Sequence, residues 1–248
     1  MLDAVLGLPD GVTALLFDLD GVLTQTAKVH FAAWKQTFDE VLQAHGDDRP
    51  FTQDDYNAYV DGKPREDGVR DFLASRDIDP PRGEVDDPAD KATIFGIGNR
   101  KNELLLATIK TDGVETYEGS VRYLDAAVAA GLRRAVVSAS KNTEDVLRVT
   151  GLRDKVEIVV DGNTVVSKGL QGKPAPDPYL EGARQLGVPA SAAVVFEDAL
   201  AGVEAGRAGH FGFVVGVNRV GQADALKAHG ADVVVDDLSE LLDDGGPS

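Results

Sequence analysis

A chain of 248 residues, 43% of them hydrophobic, can fill a real core in one large domain or in a domain that carries an insertion. Its 25 basic and 42 acidic residues leave a net charge of -17, which repels nucleic acid and anionic membranes, so an anionic substrate needs a locally basic pocket or a metal ion. There is no cysteine, which excludes disulfides, thiolate nucleophiles and cysteine-bound zinc, and the four histidines are scattered without metal-ligand spacing. The opening MLDAVLGLPDG lacks the basic stretch and apolar length of a signal peptide, and no later run is suited to span a membrane, so the cytoplasm is the expected compartment.

The first element, ALLFDLDGVL at residues 14–23, reads as a buried strand, yet Asp18 and Asp20 interrupt it and Gly21 follows. Buried carboxylates are costly unless paired, protonated or metal-bound. In extended chain the side chains at i and i+2 share a face, so both carboxylates project together at the carboxyl end of the strand, where open α/β sheets bind ligands. Residues 28–45 then place Phe31, Trp34, Phe38, Val41 and Leu42 at helical spacing, with Gly46 as a stop. A second helix is expected over 66–76, IDPPRGEVDDPAD reads as a loop, and a third helix over about 91–110 is weakened by Gly96 and Gly98.

From Ser120 the texture alternates: helix 120–130, strand RAVVSAS, helix 142–149, strand VEIVV, helix 177–186, strand AAVVFED, helix 199–208, strand FGFVVGV, helix 222–229 and strand ADVVV. This is the pattern of a parallel α/β fold. The connection from the first strand to RAVVSAS is several times longer than the roughly 30 residues of a βαβ unit. The expected architecture is therefore a Rossmann-like, doubly wound parallel sheet, residues 1–25 and 113–248, with an inserted helical cap domain at 26–112 after strand 1. GNTVVSKGLQG, before Lys173, reads as an irregular excursion.

Three strands end in polar residues, FDLDG, VVSAS and VVFED, and a fourth polar station, GKPAPD, lies in a connection. Each has an ordinary structural explanation: a DxD turn, a serine at a helix start, a Lys-Pro turn, an acidic pair complementing a helix dipole. In this order, at neighbouring strand ends, they converge on one site. Asp18, Asp20, Glu197 and Asp198 are hard oxygen ligands suited to Mg²⁺, while Ser138 and Lys173 offer a hydroxyl and a fixed cation to a phosphoryl group.

These stations resemble the signature of the haloacid dehalogenase superfamily of phosphoryl-transfer enzymes. The resemblance implies that Asp18 is a nucleophile forming an aspartyl-phosphate, and that Asp20 is the general acid and base. It further implies that Mg²⁺ is held by Asp18, the Asp20 carbonyl and Asp198 with Glu197 nearby, and that Ser138 and Lys173 hold the transferring phosphoryl.

FDLDGVLTQTAKVHFAAWK, DGKPREDGV, NRKNELL, SASKN, GKPAPD and FEDALAG further resemble the superfamily's β-phosphoglucomutase family. By motif position this resemblance places His30 and Trp34 at a cap hinge and Gly62 and Arg65 on a specificity loop. Lys101 and Asn102 fall near the sugar phosphate, and Ser140, Lys141 and Asn142 beside Ser138. On its own spacing Trp34 belongs to the apolar stripe of its helix. Gln25, Ala199 and Leu200 depart from the family pattern. The implied reaction interconverts β-glucose 1-phosphate and glucose 6-phosphate through glucose 1,6-bisphosphate, in a monomer whose partner is a small sugar phosphate. A sugar-phosphate phosphatase and a non-catalytic phosphosugar-binding protein are the alternatives, and the complete carboxylate set argues against the second.

Overall fold

The apolar runs form six parallel strands in the computed structural model, which describes residues 6–61 and 63–242. They are β1 (Ala14–Phe17), β2 (Arg133–Val137), β3 (Ile158–Val160), β4 (Ala193–Glu197), β5 (Phe213–Val217) and β6 (Val233–Val235), in the spatial order β3-β2-β1-β4-β5-β6. The chain divides at Gln25/Thr26 and Gly113/Val114 into two compact units, one containing the sheet and one helical.

The helical unit holds α1 (Thr26–Ala44), α2 (Gln53–Tyr59), α3 (Arg65–Ala74) and α4 (Ile94–Asp112). The sheet unit holds α5 (Glu118–Ala129), α6 (Thr143–Val149), α7 (Gly162–Lys168), α8 (Asp177–Leu186), α9 (Leu200–Ala208) and α10 (Ala223–Ala228). Among the described residues no helix is long and apolar enough to cross a membrane.

The sheet strands are continuous hydrophobic runs because helices cover both faces. On one face Ala14, Leu16, Val137 and Val195 pack with Tyr179, Ala183 and Leu186 of α8. On the other, Phe17 stacks on Phe196 at 4.5 Å, and Tyr123 of α5 closes over Phe196 at 5.3 Å. Each such fully buried large side chain contributes about 1.5 to 3 kcal/mol. The register matters most for function. Phe17 lies opposite Val136 on one side and Phe196 on the other, which brings Asp18, Ser138 and Glu197 to a single edge of the sheet.

The helical unit has a separate core of aromatic rings: Trp34 stacks on Phe38 at 4.8 Å, and Phe38 meets Phe72 at 4.3 Å and Phe51 at 4.9 Å.

Three local outcomes differ from the sequence reading. β1 stops at Phe17 instead of running to Leu23, because the Gly21 N–H donates to Thr24 O at 2.8 Å and the Leu23 and Thr24 N–H groups both donate to Leu19 O at 3.0 Å. Leu19, Val22 and Leu23 are nonetheless fully buried, so an apolar turn imitates strand composition. GNTVVSK is not irregular but helical: the Asp161 carboxylate accepts the Thr164 N–H at 2.8 Å as an N-cap, and left-handed Gly169 ends the helix. Helix α2, within a stretch with no expected element, starts at a reciprocal capping box between Thr52 and Asp55. In α4, Gly98 does not interrupt the helix; the Arg65 stem packs against it.

Candidate active site

Asp18 is the first residue beyond β1, and its N–H still donates to Phe196 O at 2.9 Å, which fixes its backbone to β4. Lys173 comes from the connection before α8. Its ammonium donates to Asp18 Oδ1 at 2.6 Å, to Glu197 Oε1 at 2.6 Å and to the Val137 carbonyl at 3.0 Å, with its side chain only 6% exposed. One cation thus ties the ends of three neighbouring strands. Burial works against its charge, yet the Asp18 and Glu197 carboxylates outweigh burial and hold its pKa above the ordinary lysine value.

Burial also pushes the Asp18 carboxyl well above the ordinary carboxylate range; the Lys173 charge opposes this, and the charges of Glu197 and Asp20 add to it. The site therefore carries more negative charge than its lysine offsets. Asp18, Glu197 and Asp198 offer oxygens that all lie within 4.8 Å of one another, a hard-ligand set that fits a divalent cation such as Mg²⁺ and would relieve that excess. Asp20 does not join this cluster through its side chain. Glu197 is the most committed of the three: Oε1 also accepts the Tyr179 hydroxyl at 3.0 Å, and Oε2 accepts the Ala199 N–H at 2.9 Å.

Asp20 points elsewhere. The Ser138 hydroxyl donates to Asp20 Oδ2 across a long 3.4 Å, and the same Ser138 oxygen accepts the Ser140 N–H at 3.1 Å. The turn after Asp20 requires Gly21 on two counts. Its φ is +96°, and a Cβ there would lie 1.9 Å from Asp198 Oδ2. The Asp198 carboxylate thereby packs against the backbone of the turn at a residue with no side chain.

Ser140, Lys141 and Asn142 follow Ser138 toward the start of α6. Ser140 Oγ accepts the Asn142 N–H at 3.2 Å, and Ser140 O accepts from Thr143 Oγ1 at 2.8 Å and from Gly162 N at 3.0 Å. Asn163 of α7 donates to Lys141 O at 2.9 Å, so the unexpected helix buttresses this loop.

Within the helical unit the residues expected at the substrate fall into two groups. The Lys101 ammonium lies 3.3 Å from His30 Nδ1 and 5.1 Å above the Trp34 ring, and Lys101 is 4% exposed. Trp34 itself is buried in the aromatic core, so it meets the polar face of the unit through Lys101. Asn102 is half-buried in the next position of α4. Arg65 opens α3 with its stem against Gly98, and burial lowers its pKa. Among the described residues its guanidinium makes no hydrogen bond and no salt bridge. Gly62 lies outside the described residues.

Two site residues were not foreseen. Tyr179 donates to Glu197 and lies with its ring 4.7 Å from the Lys173 ammonium; burial above all, with the charges of Glu197 and Asp18, holds its phenol well above the ordinary value and keeps it a donor. Gly202 in the first turn of α9 leaves room for Glu197, whose Oε1 would lie 1.7 Å from a Cβ at that position. Tyr179 reads in sequence as one apolar position of an amphipathic helix. Gly202 reads as a mild helix breaker.

The family model of haloacid dehalogenase-like hydrolases matches residues 12–210. A β-phosphoglucomutase of Mycobacterium tuberculosis (strain CDC 1551 / Oshkosh) is 55% identical over 247 residues, 96% of this chain and 94% of the relative. The crystal structure of a β-phosphoglucomutase from Clostridium difficile superposes with a TM-score of 0.75 at 27% identity, covering 93% of each chain. A variant of protein CbbY from Rhodobacter sphaeroides, solved in complex with xylulose-(1,5)bisphosphate, superposes with a TM-score of 0.71 at 26% identity over 92% of this chain and 96% of the other.

Proposed function

This chain belongs to the haloacid dehalogenase-like hydrolase family, and from that premise we infer that it is an enzyme interconverting β-glucose 1-phosphate and glucose 6-phosphate by way of a phosphoryl group on Asp18. The observation that carries the chemistry is a buried carboxylate at a strand end with an ammonium 2.6 Å from one oxygen and two further carboxylates close by. The extent of the likeness to β-phosphoglucomutases supports the choice of reaction within the family.

An Asp18 oxygen attacks phosphorus; the bond from phosphorus to the sugar oxygen breaks; Asp20 delivers a proton to that oxygen as it leaves. In the reverse sense Asp20 takes the proton from the accepting hydroxyl. Phosphorylated Asp18 gives its group to one end of the sugar phosphate, and after the bisphosphate turns over, the other phosphate returns to Asp18. Lys173 holds the attacking carboxylate in place and offsets charge on the transferring group, and Ser138 donates a hydroxyl to it. Mg²⁺ suits Asp18, Asp198 and the Asp20 main-chain carbonyl, with Glu197 contributing charge while it orients Lys173. Bound there, the metal supplies positive charge that offsets both the carboxylate and the phosphoryl group.

Arg65, Lys101, His30 and Asn102 are assigned to the sugar phosphate, with Gly62 in the same loop as Arg65. Ser140, Lys141 and Asn142 are assigned to its approach beside Ser138. Trp34 supports Lys101. A cytoplasmic monomer acting on a small sugar phosphate, with glucose 1,6-bisphosphate as intermediate and activator, completes the reading.

The test is an assay with β-glucose 1-phosphate, Mg²⁺ and a trace of glucose 1,6-bisphosphate, scored for glucose 6-phosphate against free phosphate. Glucose 6-phosphate in excess, lost on chelation of the metal, is the expected result. Free phosphate as the main product makes the chain a phosphatase.

A further inference from the structure

The stretch NRVGQ after β5 carries an arginine that the reaction described above does not use. The Arg219 side chain is only 13% exposed and each part of its guanidinium is engaged. Nε donates to Gly21 O at 2.7 Å, Nη2 reaches Val22 O and Ser120 Oγ at 3.4 Å each, and Nη1 donates to Asp236 O at 2.8 Å. Its Cζ lies 3.4 Å from the centroid of the Tyr117 ring, and Asp237 Oδ2 is 3.9 Å from Nη1.

These contacts converge on the turn that follows the proposed acid and base. Gly21 is the residue directly after Asp20, and its carbonyl accepts the shortest of the arginine's hydrogen bonds. The same turn pairs with the chain segment that returns to the sheet unit. Thr24 bridges Thr116, the Tyr117 N–H donates to Leu23 O at 3.1 Å, and the Gln25 N–H donates to Glu115 O at 2.8 Å. Arg219 therefore grips both halves of this small ribbon, one through carbonyls and the other through an aromatic face. Its neighbour in the loop, Gln222, donates to the carbonyl of Asp198 at 2.9 Å. A planar fork of five donors can serve several acceptors in fixed directions at once, which an ammonium cannot do.

We propose that Arg219 is a positioning residue for Asp20: by holding the Gly21–Val22 carbonyls against Tyr117 it sets where the Asp20 carboxyl stands for proton transfer. The inference rests on the assignment of Asp20 as acid and base. It does not require that the product be glucose 6-phosphate.

The experiment compares two substrates of different leaving group. The alkoxide of a sugar phosphate needs a proton as it departs, whereas dinitrophenolate does not. Arg219→Ala should lower kcat for consumption of β-glucose 1-phosphate by about 10- to 100-fold with KM within about threefold, the size of effect expected when a reacting group is misplaced by about an ångström. First-turnover release of 2,4-dinitrophenolate from 2,4-dinitrophenyl phosphate, which precedes the step in which Asp20 must take a proton from water, should slow by less than about threefold. In an Asp20→Asn background the same substitution should cost less than about twofold on the sugar phosphate, because the group it positions is already disabled. Arg219→Lys keeps the charge over Tyr117 without the planar fork, should fall between, and carries the same comparison if Arg219→Ala does not fold. Equal losses on both substrates, undiminished loss in the Asp20→Asn background, or no loss in either variant overturns the proposal. Sugar-phosphate consumption is counted whichever product forms, so the ratio of glucose 6-phosphate to phosphate in the unmodified enzyme tests the mutase assignment separately.

Discussion

Lys173 in the sheet unit is a buried cation and Arg65 in the helical unit a half-buried one, and they differ in what surrounds them. Lys173 has two carboxylates at 2.6 Å and a carbonyl at 3.0 Å, with the Glu197 partner itself fixed by Tyr179 and the backbone of Ala199. Arg65 makes no hydrogen bond or salt bridge among the described residues, and burial alone lowers its pKa, with only the charge of adjacent Glu66 opposing. A paired buried cation is preorganised: its geometry is the same before and after substrate arrives, which suits groups that act on the transferring phosphoryl. An unpaired, partly desolvated cation is a cost to the free protein that an anion can offset, which suits a group that recognises the phosphate not being transferred.

The largest expected effect breaks the paired side of this contrast. Asp18→Asn should abolish phosphoryl transfer, a loss on the order of 10⁵-fold, while the protein still folds; substantial turnover by the folded variant would remove Asp18 from its role. The same variant has a signature in stability. Because the folded-state pKa of Asp18 is raised above its ordinary 3.8, the stability it contributes is present below that value and is lost as pH rises through the raised one. In metal-free protein, thermal unfolding of the wild type relative to Asp18→Asn should therefore show stability declining as pH rises above about 4, and saturating Mg²⁺ should flatten that decline. A rising difference would mean that Lys173 outweighs burial at Asp18.

Next comes the unpaired side. Replacing Arg65 by methionine keeps the stem against Gly98 and removes the charge. A charged hydrogen bond to phosphate is worth about 1.5 to 3 kcal/mol, so mutase kcat/KM should fall about 10- to 150-fold. Hydrolysis of a small aryl phosphate, which has no second phosphate to hold, should change little. Stability should stay within about 0.5 kcal/mol or rise, since no partner is left unpaired. Marked destabilisation would show that Arg65 is structural, and equal loss of both activities would point to a general defect.

The smallest effect tests how far the Lys173 network depends on its outermost member. Tyr179→Phe deletes one hydrogen bond to Glu197 but leaves the ring beneath Lys173, and Glu197 keeps two other donors. About 1 kcal/mol of stability and about fivefold in kcat should be lost, measured by denaturant unfolding and steady-state kinetics. A loss as large as that of Asp18→Asn would place Tyr179 among the reacting groups.

The sequence by itself determined which stretches are strands and which helices over most of the sheet unit, because a parallel strand covered on both faces must be apolar throughout and its helices must repeat every three to four residues. It also marked Asp18, Asp20, Ser138, Glu197 and Asp198, since polar residues at the ends of such strands stand out against their surroundings, and Lys173 in the connection GKPAPD by its place in the order of these stations. Where composition misleads, tertiary structure decided. Leu19, Val22 and Leu23 are as apolar as any strand, but a turn around Gly21 buries them equally well, and the positive φ and the approach of Asp198 show why that turn has glycine. The helix at 162–168 depends on a cap, Asp161, that reads equally as a loop residue. Glu197 looks like a metal ligand in isolation, and its commitment to Lys173 and Tyr179 comes from residues some way off in the chain that only the fold brings to it. Arg219 carries no local signal at all. Its partners at positions 21, 117 and 236 meet only once the strand order has put β5 beside β4 and β4 beside β1, and long-range register is set by packing the whole sheet, not by any window of residues within it.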